Sequence, residues 1–498
     1  MVEKKTDALP RHVINMAWIL VLGAIAPMLD ATMVNIAVND LARDFGATLS
    51  TIQWVITGYV LATAVAVPFA GWLVNRFSGK WVFLVAEIAF GVFSLASAMA
   101  WNIDSLIVFR LFQGAAAGML TPLLTTLLVD LAGSDAMGRL MAVVGLPIML
   151  GPILGPVVGG IVLQYASWRW IFYINVPIVI LASLLIALKL PNFEAKNRHS
   201  KFDVIGVALL AGVSSTIIYG IVQASTKGDF ANHTTLAYVG AGVALMVVYG
   251  IYAHFMGDKA ILPIRLFTRK NFSAAMVGMV VGGVATSGAM LLLPLFFQNL
   301  RGDSVIVAGV SLIPQGVGML LARPIVGKLI DRIGARYVTI VSLFITLVGT
   351  VPFVYFDGRT AYWLVGLVLL VRGIGAGGIL SPLMTDAFVG GSQRDSGSIS
   401  VASRTFQNIG GAFGSAVIAT VVAGYMTTHT SIAASYQTGF AWSAGLSLLI
   451  LIPALFLTNK LSKSNVENDL TGKQRLRSFC CILPVFKRVR GLTSCNSN

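Results

Sequence analysis

Charge is what this chain has little of. Asp, Glu, Lys and Arg make up 11% of its 498 residues, against 56% hydrophobic, where a soluble domain carries roughly 25% charged. No soluble fold of this length could cover so much apolar surface. Cysteine is scarcer still: Cys480, Cys481 and Cys495 all fall in the last segment. That excludes a disulfide framework or a thiolate metal site from the body of the chain. The five histidines are scattered without metal-ligand spacing, and no GxxxxGK[ST] loop occurs. A GIGAGG run at 373–378 lies inside an apolar stretch and follows no strand, so it is no nucleotide loop. No catalytic, metal or cofactor constellation stands out. An enzyme is not expected, and a proton gradient replaces ATP as the natural energy source.

In place of charge the chain has long apolar runs, each near the ~20 residues that cross a hydrocarbon core as a helix. Fourteen candidate spans can be marked: 13–36, 51–71, 81–100, 105–129, 139–163, 168–189, 203–223, 235–256, 272–297, 305–325, 336–355, 361–385, 402–426 and 436–457. The first follows Lys4, Lys5 and Arg11 and leads straight into further spans, so it reads as a retained helix, not a cleaved signal. The fold class is an all-α polytopic membrane protein, with the lipid bilayer as its solvent. Sorted by alternate connections, 28 of the 35 Lys and Arg share one face with the termini, five lie on the other, and Arg110 and Arg372 fall within spans. This bias predicts cytoplasmic termini. It also accounts for the formal charge of +15 without nucleic acid as a partner.

Two blocks recur. GWLVNRFSGKW at 71–81 returns as GKLIDRIGARY at 327–337, and GMLTPLLT at 118–125 returns as GILSPLMT at 378–385. The same order at nearly the same offset implies two related six-helix halves, residues 1–200 and 261–457. Two linker helices are inserted between them (201–260), and a basic tail follows (458–498). Duplicated halves around a midplane cavity are a transporter architecture. The tail segment RLRSFCCILPVFKRVRGL could lie on an anionic leaflet or stay disordered; no function is assigned to it.

Several residues carry chemistry that an apolar span does not need. Arg110 is a permanent cation within the fourth span, a placement costing ~2.5–3.5 kcal/mol unless it faces a cavity or partner; the alternative is snorkelling to the outer interface. Gln113 lies beside it. Asp30, with Asn35 five residues on, is an acid in the first span; it either carries protons or attracts cations, or helps set the outer interface. Glu87 in the third span is another intramembrane acid, either a proton or substrate site or privately paired. In GPILGPVVGG at 151–160, Gly151, Gly155 and Gly159 recur every four residues and Gly160 follows. They make one smooth face, while Pro152 and Pro156 bend the helix. Such a face suits a gate, or simply tight packing. In the loop at 71–81, Gly71 and Gly79 permit close approach and a tight turn, and Arg76 and Lys80 are expected to meet carboxylates at neighbouring helix ends. Asn75 stands where the second copy has Asp331 beside Arg332, so a charge lock is expected in the second half and weakened in the first. Arg404, Gln407 and Asn408 are candidate cavity residues in the second half, as is Asn35 in the first. Asp386 is expected near a cytoplasmic helix end in a structural role. Arg372 is not a simple duplicate of Arg110.

GWLVNRFSGKW resembles the signature loop of the major facilitator superfamily, and RLFQG at 110–114 its fourth-helix motif. GPILGPVVGG is similar to the fifth-helix signature of its drug antiporters. LDATMVNIAVNDL at 29–41 resembles the first-helix motif of the fourteen-helix drug:proton antiporter branch, the QacA/EmrB type. The resemblance reaches residue 457. It implies a major facilitator fold and a role for Arg110 in proton coupling, together with efflux of amphipathic or cationic small molecules, drugs or antiseptics. In the family pattern an acid usually stands where Asn75 does. Two other readings stay open: a proton-coupled uptake symporter for a metabolite, and a non-transporting membrane sensor. A periplasmic adaptor is implied only for a host with two membranes.

Overall fold

In lipid every backbone N–H and C=O must be satisfied internally, and a helix does this within one segment. All regular structure among the described residues of the computed structural model is accordingly helical. The structure describes residues 10–47, 49–132, Leu140, Gly155, 158–193, Ala195, 203–227, 230–392, 395–428 and 431–459. The first half contains α1 (Arg11–Met33), α2 (Leu49–Arg76), α3 (Gly79–Ala98), α4 (Ile103–Ala132), the described stretch of α5 (158–165) and α6 (Arg169–Lys189). The inserted pair is α7 (Val204–Lys227) and α8 (His233–Met256). The second half contains α9 (Lys270–Leu295), α10 (Ile313–Ile333), α11 (Ala335–Val348), α12 (Tyr362–Phe388), α13 (Ser396–Thr428) and α14 (Ile432–Leu448). Thirteen helices among the described residues are long and apolar enough to cross a membrane. They correspond to thirteen of the fourteen expected spans. Most of the fifth span lies outside the described residues.

Local signals set the helix ends. Asn232 caps α8 by accepting from the Thr234 N–H (2.9 Å), and Ser431 caps α14 by accepting from Ala434 (3.3 Å). Gly334, at φ 85°, turns the chain between α10 and α11, where a side chain would be strained.

Within each half the second and fourth helices meet backbone to backbone. A Cβ on Gly114 or Gly118 of α4 would lie 3.0 and 2.8 Å from the Tyr59 and Thr63 Cα atoms of α2. Gly373 and Gly377 of α12 stand the same way against Gln315 and Met319 of α10, at 3.0 and 3.1 Å from their Cα atoms. Small residues let membrane helices gain dispersion contact where no hydrophobic force separates lipid from protein. The repeated loop has a shared task as well. Lys80 Nζ donates to the Ala187 carbonyl at the end of α6 (2.8 Å), and Arg336 Nε donates to the Leu457 carbonyl beyond α14 (3.1 Å). Each tethers its loop to the last helix of its own half. The expected carboxylate partner of Lys80 is thus a backbone carbonyl: helix ends leave carbonyls unpaired, and here an ammonium takes one. Asp331 and Arg332 are both exposed.

The inserted helices are not symmetric in their burial. α7 packs on both α2 and α13, bridging the halves, while α8 packs on α7 and leaves most of its surface outward. Trp54 of α2 stacks on Tyr219 of α7 with ring centroids 6.1 Å apart.

At the end of the bundle that carries most Lys and Arg, here the basic end, one apolar core runs unbroken through Val13, Leu127, Ile186, Leu266, Leu383 and Leu457. The halves touch there: Thr126 Oγ1 donates to Ser400 Oγ (3.1 Å), and a Cβ on Gly71 would lie 2.9 Å from Val401 Cγ2. At the opposite end two cores stand apart, one around Met33, Leu106 and Phe172, the other around Leu292, Phe353 and Phe440.

Candidate functional site: a buried acid–arginine centre

The first half holds a polar cluster inside its apolar wall. Asp30 comes from α1, Ser94 from α3, Arg110 and Gln113 from α4, and Asn175 from α6. All five are at most 1% exposed. Arg110 pairs with Asp30 through Nη1 and donates to Gln113 Oε1 at 2.9 Å. Gln113 Nε2 and Asn175 Nδ2 both donate to Asp30 Oδ1, at 3.2 and 3.0 Å. Asn175 Nδ2 also reaches Ser94 Oγ (3.0 Å), which donates to the Phe172 carbonyl (2.9 Å). Every bond at Asp30 is accepted, so the cluster fits a carboxylate. The guanidinium is completed by the Val55 carbonyl, which accepts from Nε at 3.3 Å, and by the Tyr59 ring, 4.0 Å from Cζ to the centroid. A cation over an aromatic face gains further when desolvated. Arg110 therefore does not snorkel.

Two features join this centre to its neighbours. Pro27, one turn before Asp30, lies inside α1; its carbonyl accepts from Tyr59 Oη at 3.3 Å. The glycine face of α5 lies on the Asp30 turn: a Cβ on Gly155 would stand 3.0 Å from the Leu29 carbonyl oxygen, and one on Gly159 3.3 Å from that of Met33. Gly160 is half-buried beside them. Gly151, Pro152 and Pro156 lie outside the described residues.

The other expected residues scatter. Asn35 sits exposed in the 3₁₀ turn after α1, outside the cluster. Arg404 and Gln407 are half-buried on α13, with Arg404 Nη1 donating to Gln407 Oε1 at 3.3 Å. Asn408 is half-buried on the same helix. Arg76 ends α2 half-buried, and Asn75 precedes it in that helix. A Cβ on Gly79 would be forced into the Leu127 side chain of α4. Asp386 is buried and fastens the start of the tail, accepting from Thr458 N (3.2 Å) and from the Thr458 hydroxyl.

Sequence reasoning missed Asn175, Ser94 and Tyr59, each ordinary in its own segment. It also counted Arg323 among the connections, whereas Arg323 is buried within α10. Arg372 has a cluster of its own: Nη1 donates to Gln315 Oε1 (3.0 Å) and Nε to Thr350 Oγ1 (3.3 Å). No carboxylate pairs with it among the described residues.

The comparisons agree with this geometry. Residues 20–415 match the family model described as Major Facilitator Superfamily. The chain is 32% identical over 431 residues to the Multidrug resistance protein B homolog of Mycobacterium tuberculosis (strain ATCC 25618 / H37Rv), covering 86% of this chain and 79% of that one. It is 28% identical over 357 residues to the Putative multidrug resistance protein MdtD of Escherichia coli O1:K1 / APEC, covering 72% and 75%. Among solved structures, the proton:xylose symporter XylE superposes with TM-score 0.61 at 15% identity, covering 90% of this chain and 95% of that one. The human organic anion transporter MFSD10 superposes with TM-score 0.59 at 16% identity, covering 90% and 100%. With a repeated helical architecture and a family match over most of its length, the chain is a multi-pass membrane protein that belongs to the Major Facilitator Superfamily.

Proposed function

We propose that this transporter is a proton-driven exporter of amphipathic or cationic organic compounds, sited in the cytoplasmic membrane with its basic end and both termini in the cytoplasm. The observation that carries the reading is the sealed Asp30–Arg110 centre, held by Gln113 and Asn175. A carboxylate paired to an arginine inside the membrane can exist in two forms. Ionised, it neutralises Arg110; protonated, it releases the guanidinium to seek other acceptors. The exchange changes local charge by one, and the α1 turn that bears Asp30 also bears the seat of α5. Proton binding at Asp30 is thereby coupled to the α1–α5 contact, and from there to the halves. The joined core at the basic end and the divided cores at the other match an outward-facing stage of alternating access.

Export, rather than uptake, is favoured by two relatives named as multidrug resistance proteins. The basic face supports the orientation. The test is ethidium efflux from cells lacking their own exporters, with and without a protonophore. Efflux that stops with the gradient, and that Asp30→Asn and Arg110→Ala each abolish at wild-type abundance, is the expected result. Gradient-dependent efflux by both variants would remove Asp30 and Arg110 from the coupling role.

A further inference from the structure

Glu87 is a buried acid of the first half that the Asp30 centre does not use. It lies in the middle of α3, fully buried, and neither carboxyl oxygen has a hydrogen-bond partner among the described residues. Its surroundings are Phe83 and Gly23 of α1; a Cβ on Gly23 would stand 2.9 Å from the Phe83 ring and 3.1 Å from Glu87 Oε2. A side chain at Gly23 would press on the Phe83 ring and on the carboxyl.

Asp104 and Asp130 lie in the first and last turns of α4. Asp30 and Arg110 pair with each other, Lys80 on the same helix donates to the Ala187 carbonyl, and Arg76 and Lys189 sit at the basic ends of α2 and α6. An ionised carboxylate with no partner in such a place is far costlier than a neutral acid. The register is also informative. Gly23 and Asp30 lie two turns apart on α1, as Glu87 and Ser94 do on α3, about 10 Å along each helix. Ser94 is joined to Asp30 through Asn175. Glu87 therefore sits one layer behind Asp30, toward the basic end. Pro27 supplies no N–H to the Gly23 carbonyl one turn earlier.

We propose that Glu87 is a second proton-carrying site, neutral in this conformation, which takes up a proton reaching the Asp30 layer from outside and returns it to water when the basic end opens. It rests on the proton-driven reading above and sets the cargo at two protons per cycle. The bond formed is O–H on the Glu87 carboxylate; the bond broken is the hydronium O–H that supplies it, and release reverses both.

The test uses a property of the sequence. The chain has four glutamates, Glu3, Glu87, Glu194 and Glu467, and only Glu87 lies in a span. Outside the spans a glutamate is ionised at neutral pH, its ordinary pKa being about 4.3. Full-length protein with ¹³C-labelled glutamate carboxyls, reconstituted in lipid, should show at neutral pH an isotope-shifted infrared band of a protonated carboxyl. Glu87→Gln should remove it. A wild-type spectrum with every glutamate ionised overturns the proposal, whatever the variant does. In proteoliposomes the proton-to-ethidium ratio should fall by one in Glu87→Gln; an unchanged ratio overturns the carrier role. Wild-type vesicles that move no ethidium would instead sink the export reading, and the infrared band still decides whether Glu87 holds a proton.

Discussion

In the first half Arg110 meets a carboxylate; in the second Arg372 meets only neutral oxygens. The two clusters are built on corresponding positions. Tyr59 and Ser94 of the first half correspond, 256 residues on, to Gln315 and Thr350. Those two residues hold Arg372. The glycine seams match as well, and so do the loop tethers at Lys80 and Arg336. Yet α9, the counterpart of α1, contains no Asp or Glu at all. Duplication kept the helix geometry and let the charge diverge. A cluster such as that of Arg372, whose cation has no acid beside it among the described residues, cannot change its net charge by taking up a proton there. On the proton-driven reading proposed above, the proton-linked step belongs to the first half.

This contrast can be broken most sharply by removing each arginine in turn. Arg110→Met strands Asp30 without its cation and should cost about 3–5 kcal/mol of stability, the usual penalty for breaking a buried pair. Arg372→Met removes a buried cation and strands only the Gln315 and Thr350 oxygens, about 1–3 kcal/mol at most. Thermal unfolding of the purified proteins in lipid should rank Arg110→Met well below Arg372→Met; equal losses would erase the distinction. The tethers are the place where the halves should agree. Lys80→Met and Arg336→Met each lose one charge-donated hydrogen bond, about 1.5–3 kcal/mol when shielded and less for the half-buried Arg336. A loss from one alone would show that the repeated loop no longer serves both halves alike.

The smallest effect concerns acid at the basic end. Burial alone would raise the Asp395 carboxyl, but hydrogen bonds from Ser392 and the pairing with Arg265 outweigh it and hold it below the ordinary value. A carboxyl depressed in the folded state stabilises above its unfolded pKa, about 3.9, and that contribution disappears as pH falls through the folded value. Asp395→Asn should therefore lower the melting temperature slightly at pH 7 and make no difference in strong acid. A difference that persisted in acid would assign Asp395 a role other than its charge.

Much of this was legible from residue order. Apolar runs of the right length correspond to thirteen described helices, because a bilayer leaves the backbone few options. Asp30 and Arg110 stood out singly, since each is an expensive residue in an apolar run. That they meet was not legible, because contact across 80 positions depends on how α1 and α4 are rotated. Asn175, Ser94 and Tyr59 were invisible for a related reason: a lone neutral polar residue is common in a span, and only its neighbours give it meaning. The repeat held a usable signal. Setting Ser94 against Thr350 and Tyr59 against Gln315 would have marked both polar layers. Arg323 was counted with the connection that follows although it falls inside the marked span 305–325, and the helix runs on to Ile333.

The glycine seams have a mechanical consequence. Where α2 meets α4 and α10 meets α12, backbones touch with no side chain between them to flex. Neighbouring helices so closely joined have little soft material to absorb strain. Each half then acts as a stiff lever, and displacement applied at one end is delivered at the other instead of being lost as internal breathing. The cycle's slow coordinate becomes the angle between two levers, a collective motion in the microsecond-to-millisecond range.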